Sequence, residues 1–266
     1  MTERVLPNEA ILDREDDDAA AVVAQLQDEV RELGLWAPHV PPDAGGTGTG
    51  FLDYAYLNEQ IGRTVWGQLV FGCQAPDAGN AEILHMFGTD EQKERWLYPL
   101  VAGKIRSFFS MTEPEVPGSD PTTLRTRAVR DGDDWVIDGH KWFSSGADGA
   151  AFGVVMAVTD PDAAPHARAT QIIVPAETPG VDVVRPVPVL GHAGRGWSTH
   201  CEVRYTDVRV PVANTLGGEG AETPLGHMLM MARGGRIYDG PDEVHRVVVA
   251  RRILKAFESG AGWQFS

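Results

Sequence analysis

The chain has only two cysteines in 266 residues, Cys73 and Cys201, and they stand in no metal or redox spacing. That excludes a disulfide framework and fits a reduced, cytoplasmic protein. Positive charge is also scarce: 23 basic side chains against 38 acidic ones give a formal charge of −15. Neither nucleic acid nor a membrane surface is an expected partner, because both attract dense basic patches. No run approaches the roughly 18 apolar residues of a membrane span. The longest aliphatic stretches, such as residues 154–158, are strand-sized. The acidic start, with Glu3, Glu9, Asp13 and residues 15–18, lacks the basic-then-apolar pattern of a secretory leader. There is no G-x-S-x-G elbow, so an α/β-hydrolase has no support. His39, His85, His140, His166, His192, His200, His227 and His245 form neither H-x-x-x-H nor H-E-x-x-H, so no metal site is expected. The glycines of residues 45–50 follow Pro41-Pro42-Asp43, not a strand, and lack a Walker lysine. They read as an inter-helix loop, not a nucleotide loop.

Apolar residues make up 42%, enough for a packed core. Three zones differ in texture. Residues 1–106 read as an N-terminal α-helical domain. Val22, Val23, Leu26, Val30 and Leu33 share a helical face, with Asp16, Asp17 and Asp18 at its start and Gly34 placed to stop it. Leu52, Tyr56, Leu57 and Ile61 repeat the pattern. Thr89 and Gln92 form a capping-box signature for a helix to about Leu97, and Pro99 and Gly103 are expected to break the chain. Residues 107–215 switch to short β-branched and aromatic segments at 124–129, 135–137, 152–158, 171–174, 181–184 and 201–210. Turn chemistry such as Asp131-Gly132 and Asp138-Gly139 separates them. Their even spacing suggests an antiparallel β-barrel or sandwich. Residues 216–266 turn helical again, with Val244, Val247, Val248, Leu254 and Phe257 on one face and Pro241 in the first turn. The fold class is therefore α+β and multi-domain.

Two segments invite a chemical reading. Residues 109–120 form a polar, Pro/Gly-rich loop with hydroxyls at both ends. It is either a connector between zones or a ligand-facing loop whose hydroxyls and N–H groups bond a polar ring and a phosphate. Residues 139–146 set Trp142 and Phe143 beside Ser144 and Ser145. They are either a strand end with core aromatics or a surface that stacks on a ring and bonds its edge.

Together and in this order, four stretches resemble the acyl-CoA dehydrogenase family. Gly88-Thr89-Asp90-Glu91-Gln92-Lys93 with Trp96-Leu97 and Pro99-Leu100 is similar to its G-T-x-E-Q-K…W-L-x-P-L block. Met111-Thr112-Glu113-Pro114, continuing to Gly118-Ser119-Asp120, resembles its flavin loop. Val136-Ile137-Asp138-Gly139-His140-Lys141 resembles its V-I-N-G-x-K strand. Residues 236–245 resemble the segment carrying the family's catalytic carboxylate, and Ala250-Arg251 matches the pair that follows. The resemblance implies FAD bound against the β domain, an acyl-CoA thioester as substrate, and electron-transferring flavoprotein or another electron acceptor as partner. It implies that Thr112 bonds the pyrimidine side of the flavin and that Met111 adds backbone contacts. Gly118 and Ser119 belong to the same loop, Ser119 meeting the pyrophosphate. Phe143 packs on the isoalloxazine, Ser145 bonds near N5, and Asp239 is the base, in the wording of a subgroup that uses aspartate where glutamate is commoner.

The family carries a four-helix bundle between the β domain and the base segment. Such a bundle takes on the order of 80–120 residues, whereas 14 residues separate Gly218 from Arg233 here. A short C-terminal helical remnant is therefore expected. Three outcomes stay open: a dehydrogenase, an impaired subunit acting through a partner chain in a homo- or hetero-oligomer, and a flavin-dependent oxidase.

Overall fold

The computed structural model describes residues 1–220. The expected C-terminal helical segment, Asp239 included, lies outside the described residues. Helices come first: α1 (Glu9–Leu12), α2 (Asp17–Glu32), α3 (Phe51–Ile61), α4 (Gly67–Val70), α5 (Asp77–Phe87), α6 (Asp90–Gln92) and α7 (Tyr98–Val101). The strands follow: β1 (Ser107–Ser110), β2 (Arg127–Asp131), β3 (Asp134–Ser145), β4 (Phe152–Val158), β5 (Ala169–Pro175), β6 (Val181–Pro186) and β7 (His200–Pro211). Among the described residues no helix is long and apolar enough to cross a membrane.

The Asp16 side chain caps α2 by accepting from the Ala19 N–H at 3.0 Å. At the other end Gly34 takes φ +66, and Leu35 N–H reaches back to the Val30 carbonyl at 3.0 Å. That six-to-one bond closes the helix in the manner of a glycine stop. Ala19, Leu26 and Val30 are buried, but Leu33 falls past the last turn and is 71% exposed. In α3 the buried edge is Ile61, with Tyr54, Leu57 and Asn58 half-buried; Leu52 and Tyr56 are 66% and 65% exposed. The stripe is therefore 54-57-58-61, not the expected 52-56-57-61. Helix α5 was not legible as a helix, because Gly79 and Asn80 are poor helix formers and its buried face includes the polar Asn80.

The Thr89–Gln92 capping box forms with both reciprocal bonds, at 3.0 and 3.2 Å. Pro99, expected to break the helix, sits instead in the first turn of α7. The preceding turn, Lys93–Leu97, is widened to a π-helix with Tyr98 N–H bonded to the Lys93 carbonyl. That widening gives room for a ring that would otherwise strike the previous turn.

The seven strands form one mixed sheet, in the order β1-β4-β2-β3-β7-β6, with β5 on the other edge of β4. Most pairs are antiparallel as expected, but β1 and β2 both run parallel to β4, Ser107 opposite Phe152 and Arg127 opposite Val158. A strand at 107–110 was missed because four residues are too few to show a period. β4 is buried along nearly its whole length, which is why it reads as a continuous apolar run. The sheet core gathers Phe108, Trp135, Ile137, Val155, Ile172, Val174 and Val203. Each such side chain, fully buried, contributes about 1.5–3 kcal/mol.

Helices and sheet are joined by specific bonds. Asn80, 1% exposed, donates to Ser107 Oγ at 2.9 Å and to the Phe108 carbonyl at 3.1 Å. Gln92 Nε2 donates to the Ala213 and Thr215 carbonyls at 2.8 and 3.1 Å. Trp96 packs on Phe152 with ring centroids 4.8 Å apart. Removing the buried amide in Asn80→Ala strands two acceptors at this joint. We expect a loss of about 1–3 kcal/mol, read from denaturant unfolding; an unchanged midpoint would mean that the joint does not depend on Asn80.

Candidate functional site

The loop that follows β1 is fixed by a buried ion pair. Lys141, on β3, lies on the same strand face as the core residues Trp135 and Ile137. Its ammonium is 2.9 Å from Glu113 Oε1 and donates to the Met111 carbonyl at 2.8 Å. The two side chains are 0% and 1% exposed. Glu113 also accepts from the N–H groups of Arg125 and Thr126, at 2.7 and 2.8 Å. Every oxygen is thereby satisfied, the condition under which a buried charge pair is tolerated. Burial drives the Lys141 ammonium down to about 8 against the opposing pull of Glu113. Burial pushes the Glu113 carboxyl up, but Lys141 and the hydrogen bonds outweigh it and hold the group below the usual carboxylate range.

Immediately after Lys141 the pairing of β3 with β7 slips. Lys141 pairs with Val203 and Ser144 with Cys201, so one extra residue is accommodated on β3. The bulge sets Phe143 at φ +49, a left-handed conformation that bulky residues rarely adopt, and leaves its ring 39% exposed. Freed from the ladder, Trp142 N–H donates to the Thr112 carbonyl at 3.0 Å. The expected loop and the expected strand end are thus one surface. Beneath it, Ser144 Oγ is 2.9 Å from Ser110 Oγ, which accepts from the Tyr205 hydroxyl at 3.0 Å.

Of the sequence-predicted residues, the structure brings Met111, Thr112, Gly118, Phe143 and Ser145 to this surface or its anchors. Met111 and Thr112 give their carbonyls to Lys141 and Trp142 on β3, and the Thr112 hydroxyl has no hydrogen bond among the described residues. Gly118 sits against Thr112: a Cβ there would come 2.8 Å from Thr112 Cγ2. Ser119 is exposed, and no hydrogen bond ties it to the others among the described residues. Ser145 Oγ is 2.7 Å from His200 Nδ1, and the His200 ring lies 6.4 Å from that of Phe143. Burial, helped by the charge of His192, pushes His200 below its ordinary value. Asp239 lies outside the described residues.

A flavin needs donors for its carbonyl edge and phosphates and a flat apolar contact for its ring. The backbone N–H groups of Thr112, Glu113, Glu115, Val116, Gly118 and Ser119 donate to nothing among the described residues. With the Thr112 hydroxyl and the exposed Phe143 ring, that donor set fits FAD. A cavity of about 380 Å³ lies elsewhere, among Val23, Trp36, Trp66, Leu69, Val101 and Trp197. None of the flavin-loop or bulge residues lines it. His39, on its wall, has both ring nitrogens buried without a partner and is pushed down to about 4 by burial.

Sequence reasoning missed the roles of Glu113, Lys141, Trp142 and His200. Lys141 carried a usable signal, since a lysine at an inward strand position demands a buried partner.

Residues 1–104 match the family model of the acyl-CoA dehydrogenase N-terminal domain, and residues 108–208 that of the middle domain. The Mycobacterium tuberculosis protein named Probable acyl-CoA dehydrogenase FadE2 is 41% identical over 94% of this chain and 60% of its own length. Acyl-CoA dehydrogenase family member 11 of Gallus gallus is 40% identical over 84% of this chain and 28% of its own length. The chain therefore spans less than two thirds of the length of these relatives. A solved Mycobacterium abscessus structure described as an acyl-CoA dehydrogenase superposes with TM-score 0.77 at 36% identity, covering 92% of this chain and 62% of that one.

Breaking the ion pair from one side leaves a bare charge in the interior. Glu113→Leu and Lys141→Met are each expected to cost about 3–5 kcal/mol, and the double variant less than the sum. Because the Glu113 carboxyl is held low, its stabilisation is complete above the ordinary carboxylate range and is lost as pH falls through the lowered value. The double variant should show a flatter acid limb in the pH dependence of unfolding. Additive losses with an unchanged acid limb would contradict this.

Proposed function

Because the chain belongs to the acyl-CoA dehydrogenase family through its N-terminal and middle domains, we propose that it is an FAD-dependent acyl-CoA dehydrogenase. The reaction removes an α-proton and a β-hydride from an acyl-CoA thioester to give the α,β-unsaturated thioester. The observation that carries this reading is the set of N–H donors on loop 111–120 that have no acceptor among the described residues, together with the exposed Phe143 ring on the bulge whose Trp142 is bonded to that loop.

Bound FAD would supply the hydride acceptor. The chain supplies the rest. The Thr112 hydroxyl and the N–H groups of Thr112, Glu113, Glu115, Val116, Gly118 and Ser119 would hold the polar edge and the phosphates, with Gly118 letting the backbone come close and Ser119 adding a hydroxyl. Met111 fixes the loop by giving its carbonyl to Lys141. Phe143 covers the ring face. Ser145, held by His200, presents a hydroxyl to the ring edge. The Asp239 carboxylate takes the α-proton. A carboxylate is a weak base for so weak a carbon acid, so positioned donors must stabilise the developing enolate oxygen. Aspartate reaches about one methylene less than glutamate, and a misplacement of about 1 Å can cost roughly a hundredfold. Electrons then leave to an electron-transferring flavoprotein or another acceptor.

The test is a visible spectrum of the full chain purified with FAD, followed by anaerobic addition of acyl-CoA thioesters of different lengths. The expected result is a flavin band that bleaches with substrate, and in Asp239→Asn a retained band that no longer bleaches. A colourless protein at every FAD concentration would overturn the flavin reading in favour of a subunit that acts through a partner chain. Bleaching retained in Asp239→Asn would remove that residue from the mechanism, and peroxide released under air would identify an oxidase.

A further inference from the structure

Loop 111–120 carries a second attachment to the sheet, through one imidazole. His140 Nδ1 lies 2.8 Å from Glu115 Oε1, on the loop, and Nε2 lies 2.9 Å from Glu202 Oε1, on β7. Both partners are carboxylates, which accept and do not donate when ionised. Two hydrogen bonds from one ring to two carboxylates require two N–H groups, and only the imidazolium has both. The remaining charges around the ring are known among the described residues. Arg185 Nε is 2.9 Å from Glu202 Oε2, and the Arg204 guanidinium is 3.6 Å from Glu202 Oε1. Arg204 stands opposite His140 in the β3–β7 ladder, and Asp182 on β6 stands opposite Arg204. The hydrogen bond from His140, then Arg185 and Arg204, hold the Glu202 carboxyl below its ordinary range.

We propose that His140 is a positioning residue whose imidazolium clasps loop 111–120 to the sheet between Glu115 and Glu202, so that the loop loosens when the ring loses a proton to solvent. The asymmetry of the two carboxylates decides which end opens. A neutral ring keeps one N–H, and its other nitrogen turns a lone pair towards a carboxylate. Glu202 is pinned by two arginines, whereas the half-exposed Glu115 has only His140 as a recorded partner among the described residues. Relief therefore comes by Glu115 swinging away and taking the loop with it. The consequence for flavin affinity rests on the function proposed above; the clasp itself does not.

Trp142 N–H reports docking directly, because it is bonded to the loop carbonyl of Thr112. Its hydrogen-exchange rate, measured by NMR on the FAD-free full chain and corrected for intrinsic exchange, is compared at about pH 6 and about pH 8.5. Lys141, held down to about 8, anchors the same loop in every chain, so protection in the native chain should fall at the higher pH by roughly threefold or more beyond the fall seen in Glu115→Gln and His140→Gln. PH-independent protection in the native chain, or native pH dependence kept in either variant, overturns the clasp. Should His140→Gln not fold, Glu115→Gln decides alone, its side chain being on the loop surface. FAD affinity measured on the same samples separates the two readings. A chain that binds no FAD yet shows the pH-dependent exchange would support the clasp and overturn the flavin reading.

Discussion

A lysine and a glutamate that have both left solvent decide the shape of this protein's working surface. Once Lys141 is committed to the inward face of β3, its ammonium must find a partner, because an unpaired charge inside a domain costs several kcal/mol. Glu113 is that partner, and the bond between them brings the chain after β1 back across the end of the sheet. The loop then has no freedom to act as a simple connector. Its first carbonyls are spent on Lys141 and Trp142, and the N–H groups of Thr112, Glu113, Glu115, Val116, Gly118 and Ser119 have no acceptor among the described residues.

The bulge in β3 is the other half of the same arrangement. One extra residue between Lys141 and Ser144 releases Trp142 from the ladder and turns Phe143 outward in a left-handed conformation. Strain of this kind persists only where surrounding structure imposes it, and here the imposing contacts are the ion pair on one side and the Ser110–Ser144–Tyr205 network on the other. The helical part serves as a buttress. Asn80, Gln92 and Trp96 hold the ends of β1 and the segment after β7 in register with the sheet. The cavity near α2 lies between that buttress and residues 195–197 and shares no lining with the flavin-facing surface.

Much of this was legible in the residues, for identifiable reasons. The acids at the start of α2, its glycine stop and the Thr89–Gln92 box are local signals, and each falls where its spacing implied, Asp16 proving to be the cap. Strand β4 was legible end to end because a strand buried on both faces is a continuous apolar run. The failures were non-local. Tyr54 and Asn58, not Leu52 and Tyr56, line the inner edge of α3, a choice set by neighbours that periodicity does not see. Pro99 was tolerated because the preceding turn widened. β1 was too short to show a period, and its parallel pairing with β4 leaves no trace in either segment. The motif residues Met111, Thr112, Phe143 and Ser145 were picked out by the family resemblance, but what brings them together, Lys141 on the core parity of its strand, acquires meaning only once Glu113 is seen beside it.

The central claim is that FAD lies on the surface made by loop 111–120 and the β3 bulge. It is tested most directly by the FAD occupancy of Gly118→Val. A side chain at that position must displace Thr112, which a Cβ would already approach to 2.8 Å, while Gly118 itself is exposed and takes no part in the buried Lys141–Glu113 pair. The account predicts that this variant melts as the native chain does yet binds FAD roughly tenfold more weakly or worse, a loss of about 1.4 kcal/mol or more. Native FAD affinity in a folded Gly118→Val chain would contradict it and place the flavin elsewhere.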